Sequence, residues 1–162
     1  MEVFWQELTT GLPDQKQFVQ VLIRLIAATL LGAIIGIQRE KVGKPAGLRT
    51  HILVTLGTTV FVLACSKSGM SSEGLSRVIQ GIITGIGFIG AGSILKLNEE
   101  RNIQGLTTAA GVWMTAAIGV AVGLGALGLA ILATLLTLII LGLAGRLEFR
   151  INKDRNPTDD DS

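Results

Sequence analysis

The chain has 162 residues, of which 49% are hydrophobic and 16% charged, with a net charge of +2 and a mean hydropathy of +0.58. Soluble chains carry about 25% charged residues, so this composition excludes an ordinary soluble domain. A single cysteine, Cys65, excludes a disulfide framework and a cysteine-paired metal site. The pI near 9.0 is not read as nucleic-acid affinity, because the cations flank apolar runs, where membrane orientation accounts for them.

The apolar residues fall in continuous blocks close to the roughly 20 residues a helix needs to cross hydrocarbon, without the alternation of a β-barrel. The expected fold is therefore all-α, a membrane bundle of about five transmembrane helices. They are placed at about 18–37, 50–64, 78–95, 106–122 and 126–144, in a transmembrane domain spanning 18–145. An N-terminal tail, 1–17, precedes it and a C-terminal tail, 146–162, follows.

In the N-terminal tail, Phe4, Trp5 and Leu8 suit either a membrane interface or a loosely ordered segment, and Gly11-Leu12-Pro13-Asp14 reads as a turn. No basic leader region precedes the first span, which is expected to serve as its own insertion signal. Arg24 falls inside that span. Snorkelling to the interface and an inward-facing role are equally open for it.

The segment from Gln38 to His51 follows, carrying Arg39, Lys41, Lys44 and Arg49 against the single acid Glu40. Basic connections stay in the cytoplasm. Placing this one inside puts ten Lys and Arg inside and three outside, with Arg24 in the membrane. The expectation is N-terminus out, C-terminus in. A second polar connection, Lys96 to Gln104, contains Glu99 and Glu100. Beyond the last span the first turns of the tail can continue the helix, and Asp159-Asp160-Asp161 ends the chain in a disordered acidic tail.

Gly47-Leu48-Arg49-Thr50 and Gly105-Leu106-Thr107-Thr108 are 58 residues apart, as are Gly32-Ala33 and Gly90-Ala91. This fits a parallel two-helix repeat about an axis along the membrane normal. Chance matches in a glycine-rich chain fit the same few identities.

Residues 85–90 read Gly-Ile-Gly-Phe-Ile-Gly, but the string lies inside an apolar run and lacks the following acid, so a dinucleotide site is rejected. Close helix packing explains it better, because small residues let backbones approach in lipid. The packing residues expected are Gly32 and Gly36, then Gly81, Gly85, Gly87, Gly90 and Gly92, with Gly119 and Gly123 at the same four-residue spacing. The third helix should then be central, and Leu at Gly85 or Gly87 should disrupt folding, with a dimer contact as the alternative use of some of these faces.

The polar groups that invite a functional reading are Arg39, Glu40, Arg49, Thr50, His51, Thr107 and Thr108. Two helix N-termini beside a basic loop can form an anion or partner site. Helix caps, from Thr50 or Thr108, and orientation charges explain most of the same set. Glu40 reads as a structural ion-pair partner and His51 as a lone titrating group. Arg24, Gln80 and Thr84 could line an intramembrane polar path. No intramembrane Asp or Glu is present, which weighs against a proton- or sodium-coupled pump. No nucleophile, base and orienter can be assembled, so no enzyme, catalytic residue, metal site or cofactor is expected.

Arg39-Glu40, Ala46-Gly47-Leu48-Arg49-Thr50-His51, Gly85-Ile86-Gly87-Phe88-Ile89-Gly90-Ala91-Gly92 and Gly105-Leu106-Thr107-Thr108-Ala109-Ala110, with Trp113 and Ala116-Ala117, together resemble the MgtC/SapB family of bacterial inner-membrane proteins. The resemblance covers about residues 20–145. It implies a multi-pass protein of the bacterial inner membrane. For the MgtC branch it implies adaptation to low magnesium, survival inside host cells and restraint of the F-type ATP synthase, by regulators more than transporters. Longer members add a soluble C-terminal domain, and this chain looks like the short, SapB-like form. The expectation is a non-enzymatic regulator of another membrane complex that self-associates, with a dimer favoured. The alternative is a small dimeric transporter or channel. Lipid headgroup binding by the inside cations is a third reading.

Overall fold

The structure is a computed structural model that describes residues 1–3, 15–96 and 103–155, without the side chains of 67, 95, 96, 103 and 144–155. Readings made for Phe4, Trp5, Leu8, the turn at 11–14, Glu99, Glu100 and the acidic end lie outside the described residues.

Five long helices carry the fold: α1 (Gln15–Lys41), α2 (Leu48–Lys67), α3 (Ser72–Gly92), α4 (Leu106–Leu124) and α5 (Leu127–Arg155). A two-residue antiparallel pair, β1 (Leu95–Lys96) with β2 (Ile103–Gln104), joins α3 to α4 with Leu95 opposite Gln104. Helices α1 to α4 are long and apolar enough to cross a membrane, and the apolar part of α5, Leu127–Leu143, is shorter.

Local chemistry sets the helix ends. Helix α1 runs on to Lys41 and stops at Gly43, whose φ of +67° is left-handed. Gly43 and Lys44 return their N–H groups to the carbonyls of Glu40 and Arg39 at 3.0 and 3.1 Å, satisfying the last turn. Helix α3 begins at Ser72, earlier than its apolar run, because the Ser71 hydroxyl accepts the N–H of Gly74 at 3.2 Å. It ends at Gly92, so Leu95 belongs to the β pair.

The bundle is turned inside out relative to a soluble one. Thr55, Thr59, Thr108 and Thr115 are fully buried, while Leu53, Phe88 and Ile140 face outward. The buried hydroxyls of Thr55 and Thr115 bond back to the carbonyls of His51 and Gly111, at 2.7 and 2.8 Å, so no buried polar group is wasted there. Thr59 crosses to the Gly119 carbonyl at 2.8 Å, a helix-to-helix bond of the kind that binds spans in lipid.

The third helix is not the centre. Helix α4 touches each of the other four. Of its most apolar stretch 56% is buried, against 11% for α3. Ile118, Ala121 and Val122 of α4 form a core with Ala28 and Ile35 of α1 and Ala130 of α5. Val112 and Ala116 form a second with Ala46 and Ile86.

The glycines divide accordingly. A Cβ on Gly32 would meet Thr55 and the His51 carbonyl, and one on Gly36 would meet the Leu48 backbone. On Gly119 it would meet Thr58 and the Thr55 carbonyl, and on Gly123 the Val62 side chain. At Gly81, Gly85, Gly87 and Gly92 it would meet nothing within 4 Å, and Gly90 has only ordinary contact with Ala109. The expectation that these α3 glycines seat the chain's own helices is corrected. Ile82 and Ile86 make the apolar contact from α3, and α4, dense in Ala, Gly and Thr, is the helix slim enough to be surrounded.

The repeat is visible in contacts. Gly32 lies against His51, and 58 residues on Gly90 lies against Ala109. Gly36 lies against Gly47, and Ile94 against Gly105 at the same offset.

Candidate functional site

The polar groups gather at the end of the bundle that carries the turn after α1 and the β pair. The last turn of α1 presents Gln38, Arg39 and Glu40. The Glu40 carboxylate accepts the N–H of Leu48 at 2.9 Å, filling the N-terminus of α2. Glu40 makes no ion pair among the described residues. Among the described residues the one ion pair is Arg77 with Glu73, on the surface of α3. The expected ion-pair role of Glu40 is therefore replaced by a capping role, which its place one turn of loop before α2 allows. Gly47 makes room for it: a Cβ there would stand 3.0 Å from the Glu40 Oε2.

Arg39 is 3% exposed. Its Nη2 donates to the Thr108 hydroxyl at 2.9 Å, and its Nε has no partner. No carboxylate pairs with it among the described residues. A guanidinium held out of water without an ion-pair partner is costly.

His51 is fully buried one turn into α2. Its Nδ1 lies 2.7 Å from the Thr115 hydroxyl, which spends its own proton on the Gly111 carbonyl at 2.8 Å. With the Thr115 proton on Gly111, the hydroxyl accepts from the ring at Nδ1, while the Ala46 backbone also lies near the ring and Nε2 makes no bond of good geometry. Gly111 lies under the ring, its added Cβ falling 3.8 Å from Cε1.

The remaining candidates separate. Thr108 is buried and holds Arg39. Thr50 is half-buried, and Arg49 and Thr107 are exposed. Neither Thr50 nor Thr108 caps a helix: the caps of α2 and α4 are Gly47 and Gly105, without side-chain bonds from the cap residue. Sequence reasoning missed the pairing of His51 with Thr115 and the seating of Leu48 on Glu40; the two sit 64 and 8 residues apart, beyond any helix period.

A cavity of about 430 Å³ opens at this end, lined by Gly43, Lys44, Pro45, Ser93, Gln104, Gly105, Thr107 and Thr108. Its walls are the turn after Arg39, Ser93 just beyond α3, and the stretch from Gln104 that begins α4. The "MgtC family" model matches residues 25–150. The chain belongs to the MgtC family. YhiD of Escherichia coli, provisionally named a magnesium transporter, is 44% identical over 140 residues, covering 82% of this chain and 64% of that protein. SrpB of Synechococcus elongatus is 40% identical, covering 83% of this chain and 80% of SrpB. MgtC of Salmonella typhimurium is 42% identical, covering 82% of this chain and 55% of MgtC. The chain thus spans less than two thirds of the YhiD and MgtC lengths. No solved structure matches.

This MgtC-family chain is a multi-pass inner-membrane protein. Within one chain its intramembrane polar residues lie in separate places. Arg24 donates from Nη1 to the Gly123 carbonyl at 2.8 Å, closing the C-terminus of α4. The small cavity beside it, about 180 Å³, is lined by Gln20, Val21, Leu63 and Ser66. Gln80 and Thr84 are exposed on α3, where the Thr84 hydroxyl bonds the Gln80 carbonyl at 3.0 Å. Within the single chain they share no hydrogen bond with Arg24. Among the described residues no group of three His, Cys, Asp or Glu side chains is placed to hold a metal ion.

Proposed function

We propose that this chain is a non-enzymatic membrane regulator that acts on another membrane complex during adaptation to low magnesium or a related stress. The observation that carries the reading is Arg39. The one charged side chain buried at the polar end of the bundle is a cation locked to Thr108, with no acid ion-paired to it among the described residues. A fixed positive charge repels a cation entering from that end and attracts an acidic or phosphorylated group. The exposed Arg49 and Lys44 extend the basic surface around it. The loop end then faces the cytoplasm, as its cation excess requires, and the chain works as a homo-oligomer, with a dimer favoured. The name of YhiD supports a link to magnesium.

The other reading, a small dimeric transporter or channel, rests on the provisional name of YhiD. Reconstitution separates them. Liposomes containing the purified chain should show no magnesium flux above protein-free liposomes. Affinity purification from native membranes grown in low magnesium should recover a membrane complex that Arg49→Glu loses. Arg49 is used because it is exposed, whereas reversal at Arg39 would bury an uncompensated acid. Magnesium flux that depends on Arg24 would overturn the regulator.

A further inference from the structure

Helices α2 and α4 begin in the same way, with a glycine cap, Gly47 or Gly105, followed by a leucine. Their N-termini are satisfied differently. The first N–H of α2 is taken by the Glu40 carboxylate. In α4 the first helical bond is donated by Ala109 to Gly105, so the N–H groups of Leu106, Thr107 and Thr108 have no acceptor within the helix. The position equivalent to Glu40, 58 residues on, is Asn98, which carries no charge.

The guanidinium of Arg39 is the second and independent observation. It is 97% buried, lacks a counter-charge among the described residues and keeps an unpaired Nε. It does not line the 430 Å³ cavity itself; its Nη2 donates to Thr108, which does. Because the Thr108 oxygen accepts from Arg39, its proton is free to be donated onward. Lys44 lines the opposite rim. No acid lines the cavity among the described residues.

We propose that this cavity binds a phosphate group, free or esterified, seated on the N-terminus of α4 in front of Arg39. Peptide N–H groups, the Thr107 and Thr108 hydroxyls and the Lys44 ammonium approach from several directions. That suits a tetrahedral oxyanion with many acceptor positions better than a planar carboxylate, and helix N-termini favour such anions. The bound anion supplies a counter-charge to Arg39 that no described residue supplies as an ion pair. The cavity exceeds the volume of one phosphate, so a substituent on the phosphorus fits beside it. The site does not depend on the regulator reading, because a chain that moved solute would offer the same cradle.

The test uses the full chain in phosphatidylcholine nanodiscs. Radiolabelled inorganic phosphate is titrated in, and in parallel phosphatidic acid is mixed into the bilayer and the unfolding temperature read. Lys44→Gln and Thr107→Val alter exposed residues and should leave folding intact, judged by the unfolding temperature without ligand. Saturable phosphate binding, weakened about tenfold by either variant as expected for one charge-assisted hydrogen bond, supports the site with free phosphate as its ligand. Stabilisation by phosphatidic acid alone, lost in the same variants, supports it with a lipid headgroup as the source. No saturable effect of either ligand, or an effect the variants leave unchanged, overturns it. Binding that emerges only in Glu99→Gln with Glu100→Gln also overturns it, since the chain's own carboxylates would then be the occupant.

Discussion

The carboxylate of Glu40 accepts the N–H of Leu48 at 2.9 Å, so the end of one helix caps the start of the next. Gly43 in a left-handed conformation folds the intervening turn back on itself and makes this reach possible. Glu40→Ala should cost about 1 kcal/mol of stability, the usual worth of an N-terminal cap. Glu40→Gln, which keeps an acceptor, should cost less. Gly47→Ala pushes on the same carboxylate, so the double variant Glu40→Ala with Gly47→Ala should fall short of the sum of the two losses. Thermal unfolding in detergent of the four chains measures this directly.

The two kinds of glycine make a sharper contrast. Gly119→Ala would drive a Cβ into Thr58 and the Thr55 backbone, and overpacking of this kind costs about 1–3 kcal/mol. Gly85→Ala enters open space and should leave unfolding of the monomer unchanged. Size-exclusion chromatography beside the melts separates a folding effect from a loss of self-association. If Gly85→Ala melts the monomer as strongly as Gly119→Ala, the assignment of α4 as the central helix fails.

Replacing Thr115 by Val keeps shape but removes the acceptor for the His51 Nδ1 proton. A buried donor left without a partner costs about 1–3 kcal/mol. The expected result is a lower unfolding temperature for Thr115→Val, with Thr115→Ser close to the parent chain. Nitrogen chemical shifts of the single imidazole should also show the Nδ1–H tautomer in the parent.

Arg24 closes α4 through the Gly123 carbonyl. Arg24→Met keeps the apolar stem and removes the donor, and should lower stability by about 1–2 kcal/mol, in the range for a hydrogen bond from a charged group. Arg24→Lys should recover part of that. Equal stability of the Met variant and the parent would show that snorkelling to the interface, without the carbonyl, is all this residue does.

Much of the architecture was legible because the lipid imposes it. Continuous apolar blocks announced five helices, and Gly32, Gly36, Gly119 and Gly123 announced contacts that the structure contains. The centre was misjudged because glycine spacing is blind to which face a helix turns inward. Helix α3 has the glycines but also bulky Ile83, Phe88 and Ile89 on its outside, whereas α4 is small on nearly every side. Among the site residues, Arg39 and Thr108 could be nominated from their places at helix ends. Their meeting could not, since it spans 69 residues and depends on how two helix pairs lean together. The role of Glu40 was hidden for a local reason: the turn that returns its carboxylate to Leu48 is closed by the backbone geometry of Gly43.

Arg24 and Arg39 stand on the same helix, about four turns apart, and grip opposite ends of α4, one at the Gly123 carbonyl and the other at the Thr108 hydroxyl. Helix α1 is thus a bracket and α4 the bar it holds. Sliding the bar along its axis, or tipping it, would break one grip or the other. A rearrangement that keeps both grips carries α1 and α4 as one unit.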